Sequence, residues 1–185
     1  MTELPDSERR AFLQAAALLP LTALGQSSAP QGTGSAVRVE HGADRFGEMR
    51  KIAGVNQIAY KVASRDTGGN LFLLEQTTVR RGGPPRHLHH SQDEWFYILE
   101  GEFIAEVGAE RMRLKPGDSL LAPRKVPHTW AYAGEAPGRL LVAFLPAGQM
   151  EGFFHAIEGL PNIPQDAKLF SDHGMELVGP PISLG

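Results

Sequence analysis

Cysteine is absent from all 185 residues. Thiol nucleophiles, CxxC redox pairs, disulfide staples, iron–sulfur ligation and every cysteine-based zinc site are thereby excluded. Runs of one charge sign are missing as well. The 18 Lys and Arg against 21 Asp and Glu leave a formal net charge of −3, with no basic stripe of the kind that marks a nucleic-acid or anionic membrane footprint. Nucleic acid is therefore not an expected partner. No apolar run reaches the ~20 residues that a membrane-spanning helix needs, so no membrane span is expected. The glycine-rich stretches lack the strand–loop–helix setting and the Lys-Ser/Thr ending of a phosphate-binding loop, and no repeat recurs at a solenoid period.

What the chain has in quantity is turn residues: Gly 21 and Pro 14, which argue for many short elements rather than long helices. From about residue 55 to 146, short apolar or alternating runs are punctuated by Gly, Pro, Asn and Asp. They read VNQIAYKVA, NLFLLEQTTV, EWFYILEG, EFIAEVG, RMRLK, DSLLAP, HTWAYA and RLLVAFLP. Such runs about ten residues apart predict an all-β sandwich or small barrel. After Pro146 the period changes. Met150, Phe153, Phe154, Ile157 and Leu160 recur at helical steps and predict a helix from about 149 to 159, ended by Gly159 and Pro161. A further helical turn is expected near 166–171, followed by a last apolar run from Met175 to Val178.

The N-terminus reads as an export segment. An arginine pair, Arg9-Arg10, precedes an apolar stretch from Ala15 to Leu24 and then small residues, the order of a cleavable signal. Ser7-Glu8-Arg9-Arg10-Ala11-Phe12-Leu13 resembles a twin-arginine signal with Glu8 intruding. The expected division is a signal segment over 1–29, a linker over 30–36 and a single domain over 37–185, the last comprising a barrel at about 55–146 and a C-terminal helix and extension at 147–185. A periplasmic or secreted location follows. The alternative is a cytoplasmic protein with an amphipathic N-terminal helix, which the acidic Glu3, Asp6 and Glu8 favour.

The chemistry is concentrated in the histidines. In GGPPRHLHHSQDEWFYILEG, residues 82–101, a strand through His87 and His89 puts both imidazoles on one face and turns Leu88 to the other. Period two in the following run places Glu94, Phe96 and Ile98 together, and a carboxylate on an apolar strand face needs a partner. His128 enters another apolar run after Pro123 and Pro127. Three imidazoles and one carboxylate suit one divalent transition metal ion: Fe, Mn, Ni, Cu, Co or Zn. The plain alternative is a set of polar residues on a barrel rim. His90 should point away from the cluster. Arg81 and Arg86 flank it, and are expected to be solvated loop arginines rather than an anion clamp.

These residues resemble the cupin superfamily. Its first motif, His-x-His, then Glu after three or four residues, then Gly after six, is met by His87, His89, Glu94 and Gly101. Its second is met by Gly117, Pro123 and His128, while Lys125 stands in a glycine position, Tyr132 stands where Asn is usual, and the glycine ahead of the first histidine falls one residue late at Gly82. The tail, with EGFF and HGMELVGPP, is similar to single-domain bacterial cupins of the cupin 2 type related to quercetin dioxygenases. The resemblance implies a double-stranded β-helix, a jelly-roll-type small barrel with short helices near the C-terminus, and a homodimer. It implies metal ligation by His87, His89, Glu94 and His128, and a metal-dependent dioxygenase acting on a small enol, phenolic or flavonoid-like substrate, with Glu94 as the catalytic base. A redox-neutral isomerase, lyase or decarboxylase and a non-catalytic binding protein are the alternatives. Phe96, Ile98, Phe103, Trp130 and Tyr132 are candidate substrate-pocket residues, their bland reading being barrel core. Phe153, Phe154 and His155 are candidates for a lid over the barrel mouth or for packing against its wall.

Overall fold

The computed structural model describes residues 35–54 and 56–184; the signal-like segment 1–29 and residues 30–34 of the linker lie outside the described residues. Strands β1 (Arg50–Ile52), β2 (Asn56–Val62), β3 (Phe72–Thr78), β4 (Arg86–His89), β5 (Asp93–Glu100), β6 (Phe103–Val107), β7 (Glu110–Leu114), β8 (Ser119–Ala122), β9 (His128–Tyr132) and β10 (Gly138–Leu145) are followed by helices α1 (Met150–Ala156) and α2 (Ala167–Asp172) and by β11 (Met175–Gly179). They form two sheets, β1-β2-β3-β10-β5-β8 and β11-β4-β9-β6-β7. This is an all-β jelly-roll barrel with short helices near its C-terminus. Among the described residues no helix is long and apolar enough to cross a membrane.

Binary pattern explains the strands. In β5, DEWFYILE, Glu94, Phe96 and Ile98 are buried while Trp95 and Tyr97 are only half-buried, the signature of a strand with one face on the interior. β7, ERMRL, is a sheet edge, and its exposed Glu110, Arg111 and Arg113 blunt that edge against pairing with another chain. Tyr60, Phe72, Phe144 and Phe154 join the first sheet to α1, with ring centroids 4.8 Å apart for Tyr60–Phe72 and 5.9 Å for both Phe72–Phe144 and Phe144–Phe154.

The helix expected over 149–159 is shorter than its pattern. Gly159 gives its amide to the Lys51 carbonyl at 2.8 Å, and Leu160 accepts from Gly54 at 2.9 Å. Pairing with β1 and the turn after it thus takes over where the helix would have continued, although Ile157 stays buried. The second helical turn forms as α2, where the Asp166 side chain accepts from the amides of Lys168 and Leu169, an N-cap in the usual sense.

Lys125, in the position of a motif glycine, keeps the backbone a glycine would have. Its φ is +64° and its amide donates to the His89 carbonyl at 2.7 Å. A side chain in the left-handed region costs on the order of 1–2 kcal/mol, of which the greater freedom of an unfolded glycine gives back a part. Lys125→Gly is therefore expected to stabilise the protein by about 0.5–1 kcal/mol, measured as a higher urea midpoint at unchanged m-value.

Candidate metal centre

The two sheets bring their polar interior residues to one point. β4 lies beside β9 with His87 opposite His128, and β5, from the other sheet, carries Glu94. In β4 the alternation is strict: His87 and His89 are buried, Arg86 and Leu88 are not. One ligand atom from each of His87, His89, Glu94 and His128 lies within 4.8 Å of all the others, and all four residues are buried. Glu94 Oε2 stands 2.8 Å from His128 Nε2, 3.2 Å from His89 Nε2 and 3.9 Å from His87 Nε2.

The far sides of two rings are fixed. His87 Nδ1 is 2.8 Å from the Pro85 carbonyl and His128 Nδ1 is 2.9 Å from the Val126 carbonyl. A carbonyl only accepts, so each Nδ1 must carry the proton and donate it. In the neutral ring this leaves Nε2 a bare lone pair aimed at a carboxylate. Such a face-off is repulsive unless a cation or an extra proton stands between, and outward Nδ1–H donation of this kind is what orients metal-ligating histidines. Nitrogen and oxygen ligands sit about 2.0–2.2 Å from such an ion, so opposed ligands stand about 4 Å apart, which is the scale of this cluster. The residues present fit a divalent transition metal.

Burial, reinforced by neighbouring His128, pushes His87 down to about 3. Burial pushes Glu94 up, but the hydrogen bonds from His128 and His89 outweigh it and hold the carboxyl well below its ordinary range. For His128 burial pulls down and the Glu94 carboxylate pulls up, with a net rise. The consequences for metal-free protein have definite signs. An unfolded histidine binds its proton near pH 6.5 whereas His87 refuses it until about 3, so stability falls as the pH drops between those values. Glu94 acts in the same direction below the normal carboxylate range. His128 contributes stability below pH ~6.5 that is lost as the pH rises through its raised value. Maximal stability is expected near pH 6–7, with a fall of up to about 1.4 kcal/mol per pH unit toward pH 4 from His87. Urea midpoints at pH 7, 6, 5 and 4 check this, and a flat profile contradicts a buried neutral His87.

A cavity of about 40 Å³ opens beside the cluster, bounded by His87 and Glu94 and otherwise by apolar side chains, among them Val142, Phe144, Met150, Phe153 and Phe170, with Gln76 as the one amide. Of the five aromatic and aliphatic residues expected at a pocket, Trp130 lines this cavity. Phe96, Ile98, Phe103 and Tyr132 do not, and belong instead to the core. Period two reports the face but not the depth: each second residue lies about 6.6 Å further along a strand, and Ile98 is two such steps beyond Glu94. Phe153 and Phe154 form part of the cavity wall, while His155 is exposed. His90 is exposed, as expected. Arg86 is not a solvated loop residue: its guanidinium pairs with Glu106 at 2.9 Å and bonds to the Gly108 carbonyl.

Gln76 went unrecognised in the sequence although a signal for it exists. In FLLEQTT, period two groups Gln76 with Phe72 and Leu74, and a polar residue on an apolar face is the same flag that singles out Glu94. Phe144, Met150, Phe170 and Met175 come to the cavity from strands and helices far apart in the chain, and no local pattern announces them.

A jelly-roll of two antiparallel sheets with a three-imidazole, one-carboxylate cluster turned inward defines a protein class with a candidate metal centre at the end of an apolar cavity. Residues 76–144 match the Cupin domain family, so this part of the chain is a cupin-type domain. It is 33% identical over 60 residues to an uncharacterized protein of Methanocaldococcus jannaschii, covering 32% of this chain and 48% of that one. It is 26% identical over 95 residues to the quercetin 2,3-dioxygenase of Bacillus subtilis, covering 51% of this chain and 28% of the relative. An RmlC-like cupin from Shewanella frigidimarina superposes with a TM-score of 0.50 at 23% identity, over 63% of this chain and 99% of that structure, a likeness of fold. The chain thus spans between about a quarter and a half of the length of the curated relatives it matches.

Proposed function

We propose that the protein is a metal-dependent dioxygenase acting on a small enolic or phenolic compound. The carrying observation is the juxtaposition of the His87, His89, Glu94 and His128 cluster with a cavity whose lining holds no charged side chain apart from His87 and Glu94 of that cluster. When bound, a divalent transition metal would supply Lewis acidity and redox chemistry toward O₂. The chain's own part is positioning. The Pro85 and Val126 carbonyls aim two imidazoles, the aromatic wall excludes water, and the Glu94 carboxylate, ionised and within reach of the cavity, can accept a proton from a substrate hydroxyl. The similarity to a quercetin 2,3-dioxygenase supports this reading.

The test begins with the metal content of protein from its native host, followed by O₂ uptake with a panel of enols, 1,3-diketones and phenols. A dioxygenase places both oxygen atoms in the product and needs no added reductant, so one O₂ consumed per substrate is the expected result. Turnover that continues unchanged under strict anaerobiosis overturns it in favour of an isomerase, lyase or decarboxylase. Export is part of the same proposal. A mature N-terminus beginning after Gly25 or Ala29 in secreted protein would support it, and an intact N-terminus in the cytoplasm would refute it.

A further inference from the structure

We propose that the apolar cavity is the inner half of a two-part substrate site, and that its outer half is a polar cleft in which Arg80 and Arg81 receive a carboxylate on the substrate. The inference rests on the cluster being the reacting centre. Its starting point is size. The inner cavity, at about 40 Å³, has room for a few atoms, since one water takes about 10–15 Å³ by the same measure. Sites for small organic ligands run to about 300–1,000 Å³. A neighbouring cleft of about 310 Å³ supplies that room, and Gln76, Trp130 and Ile163 line both spaces. Only the reactive end of a substrate can therefore sit at the cluster, and the rest must lie beyond those three side chains.

The cleft has a chemistry opposite to that of the cavity. Arg80, Arg81, Asn56, Asn162 and Gln165 contribute to its wall, with no Asp or Glu in the lining. Arg80 makes its hydrogen bonds through Nη2 alone, to the carbonyls of Ala53 and Pro161 and to Asn162 Oδ1. Its guanidinium is thus held in place while its other nitrogens bond to no described residue. Arg81 has neither an ion pair nor a side-chain hydrogen bond among the described residues, unlike Arg86, which Glu106 occupies. Two guanidinium groups facing one cleft without a carboxylate present the fork geometry that carboxylates match.

Gln76 sits at the junction. It is 4% exposed, and its amide has no side-chain hydrogen bond to a described residue. Because Gln76 lines both spaces, its amide is open to hydrogen-bond a substrate that reaches from cleft to cavity. Gln76 is accordingly assigned as a positioning residue, and the substrate as a molecule with a small uncharged enolic or phenolic end and a carboxylate at the other.

The test uses the full chain loaded with Zn(II), so that no redox turnover intervenes, in a Trp95→Phe background. The chain has two tryptophans, so Trp130, on the wall between the two spaces, becomes the sole tryptophan and is excited at a wavelength that tyrosine and the phenolic probes do not absorb. The probes are 3-(4-hydroxyphenyl)propanoate and its uncharged amide. The carboxylate is expected to bind about tenfold more tightly than the amide, with the difference shrinking as salt is raised. Arg81→Ala, which removes no ion pair or side-chain hydrogen bond among the described residues, should bring the carboxylate most of the way to the affinity of the amide and leave the amide unchanged. Gln76→Leu should weaken both probes alike. Equal affinities, a difference that survives Arg81→Ala and Arg80→Ala together, or no Trp130 response to either probe each overturn the proposal. O₂ uptake judges the dioxygenase reading separately, because the zinc form reports binding alone.

Discussion

Glu94→Gln is expected to strip the protein of its metal while leaving the barrel folded. Glu94 is the one anionic member of the cluster, and its Oε2 faces all three Nε2 atoms. The amide that replaces it has nearly the same shape, but its oxygen is neutral and its nitrogen is a donor, so it can satisfy an imidazole lone pair without binding a cation. Loss of partners that merely orient a ligand costs about 10–100-fold in metal affinity, and loss of the charged ligand itself should exceed that range. Stability without metal should fall but leave the protein folded, since the carboxylate that favours the His128 proton is lost while the amide fills nearly the same volume. His128→Ala should lose metal equally but lose more stability, because it empties a buried site and frees the Val126 carbonyl that its Nδ1 holds at 2.9 Å. Elemental analysis beside circular dichroism separates the two effects. Full occupancy in a folded Glu94→Gln protein would refute the ligand assignment.

The residues of this cluster are legible in the sequence because strand alternation and spacing act locally. His87 and His89 share a face by period two, and Glu94 betrays itself as a carboxylate in an apolar run. Legibility ends where depth and tertiary pairing decide. β1 is three residues long, too short to carry a pattern, and it exists because Arg50, Lys51 and Ile52 pair with Ile58, Gln57 and Asn56. α1 stops short because β1 and the turn after it claim the backbone of Gly159 and Leu160. Tyr132 is the sharpest case. It reads as a pocket candidate, yet it plugs the barrel about four residues along β9 from His128. Space for its ring is made by three glycines: a Cβ at Gly101, Gly134 or Gly138 would come within 3.1, 2.9 or 2.6 Å of a ring carbon. The departure of the second motif at Tyr132 is thus matched by small residues on two other loops and a strand, which single-residue spacing does not reveal.

A comparable dependence on missing side-chain volume underlies the other large effect, expected for Gly83→Ala. Gly83 belongs to the loop between β3 and β4. A Cβ built on it would meet the Trp130 carbonyl oxygen at 1.7 Å and the Ala131 Cα at 3.0 Å, both of them backbone of β9, which cannot swing aside as a flexible side chain could. The loop is pinned on either side of the clash. Gly82 and Tyr132 exchange both amide hydrogen bonds, at 3.0 and 2.9 Å, and the Pro84 carbonyl accepts from the Thr129 hydroxyl at 2.8 Å. Relieving the contact therefore requires the loop to lift from β9, breaking these bonds together, at about 1 kcal/mol each and more where a buried group is left unpaired. A loss on the order of 3 kcal/mol is expected, a large share of the roughly 5–15 kcal/mol that holds a domain folded. The same movement carries the Pro85 carbonyl away from His87 Nδ1, so the imidazole loses its anchor. Gly83→Ala should thus lower both the urea midpoint and the metal affinity, the latter by about 10–100-fold, although residue 83 touches no ligand atom. Gly152→Ala is the matched control. Its Cβ would meet only the His173 ring, at 3.7 Å, and an exposed glycine inside α1 should gain about 0.5–1 kcal/mol on becoming alanine. If Gly83→Ala and Gly152→Ala proved equally stable and equally metal-loaded, the loop would not be the element that aims His87.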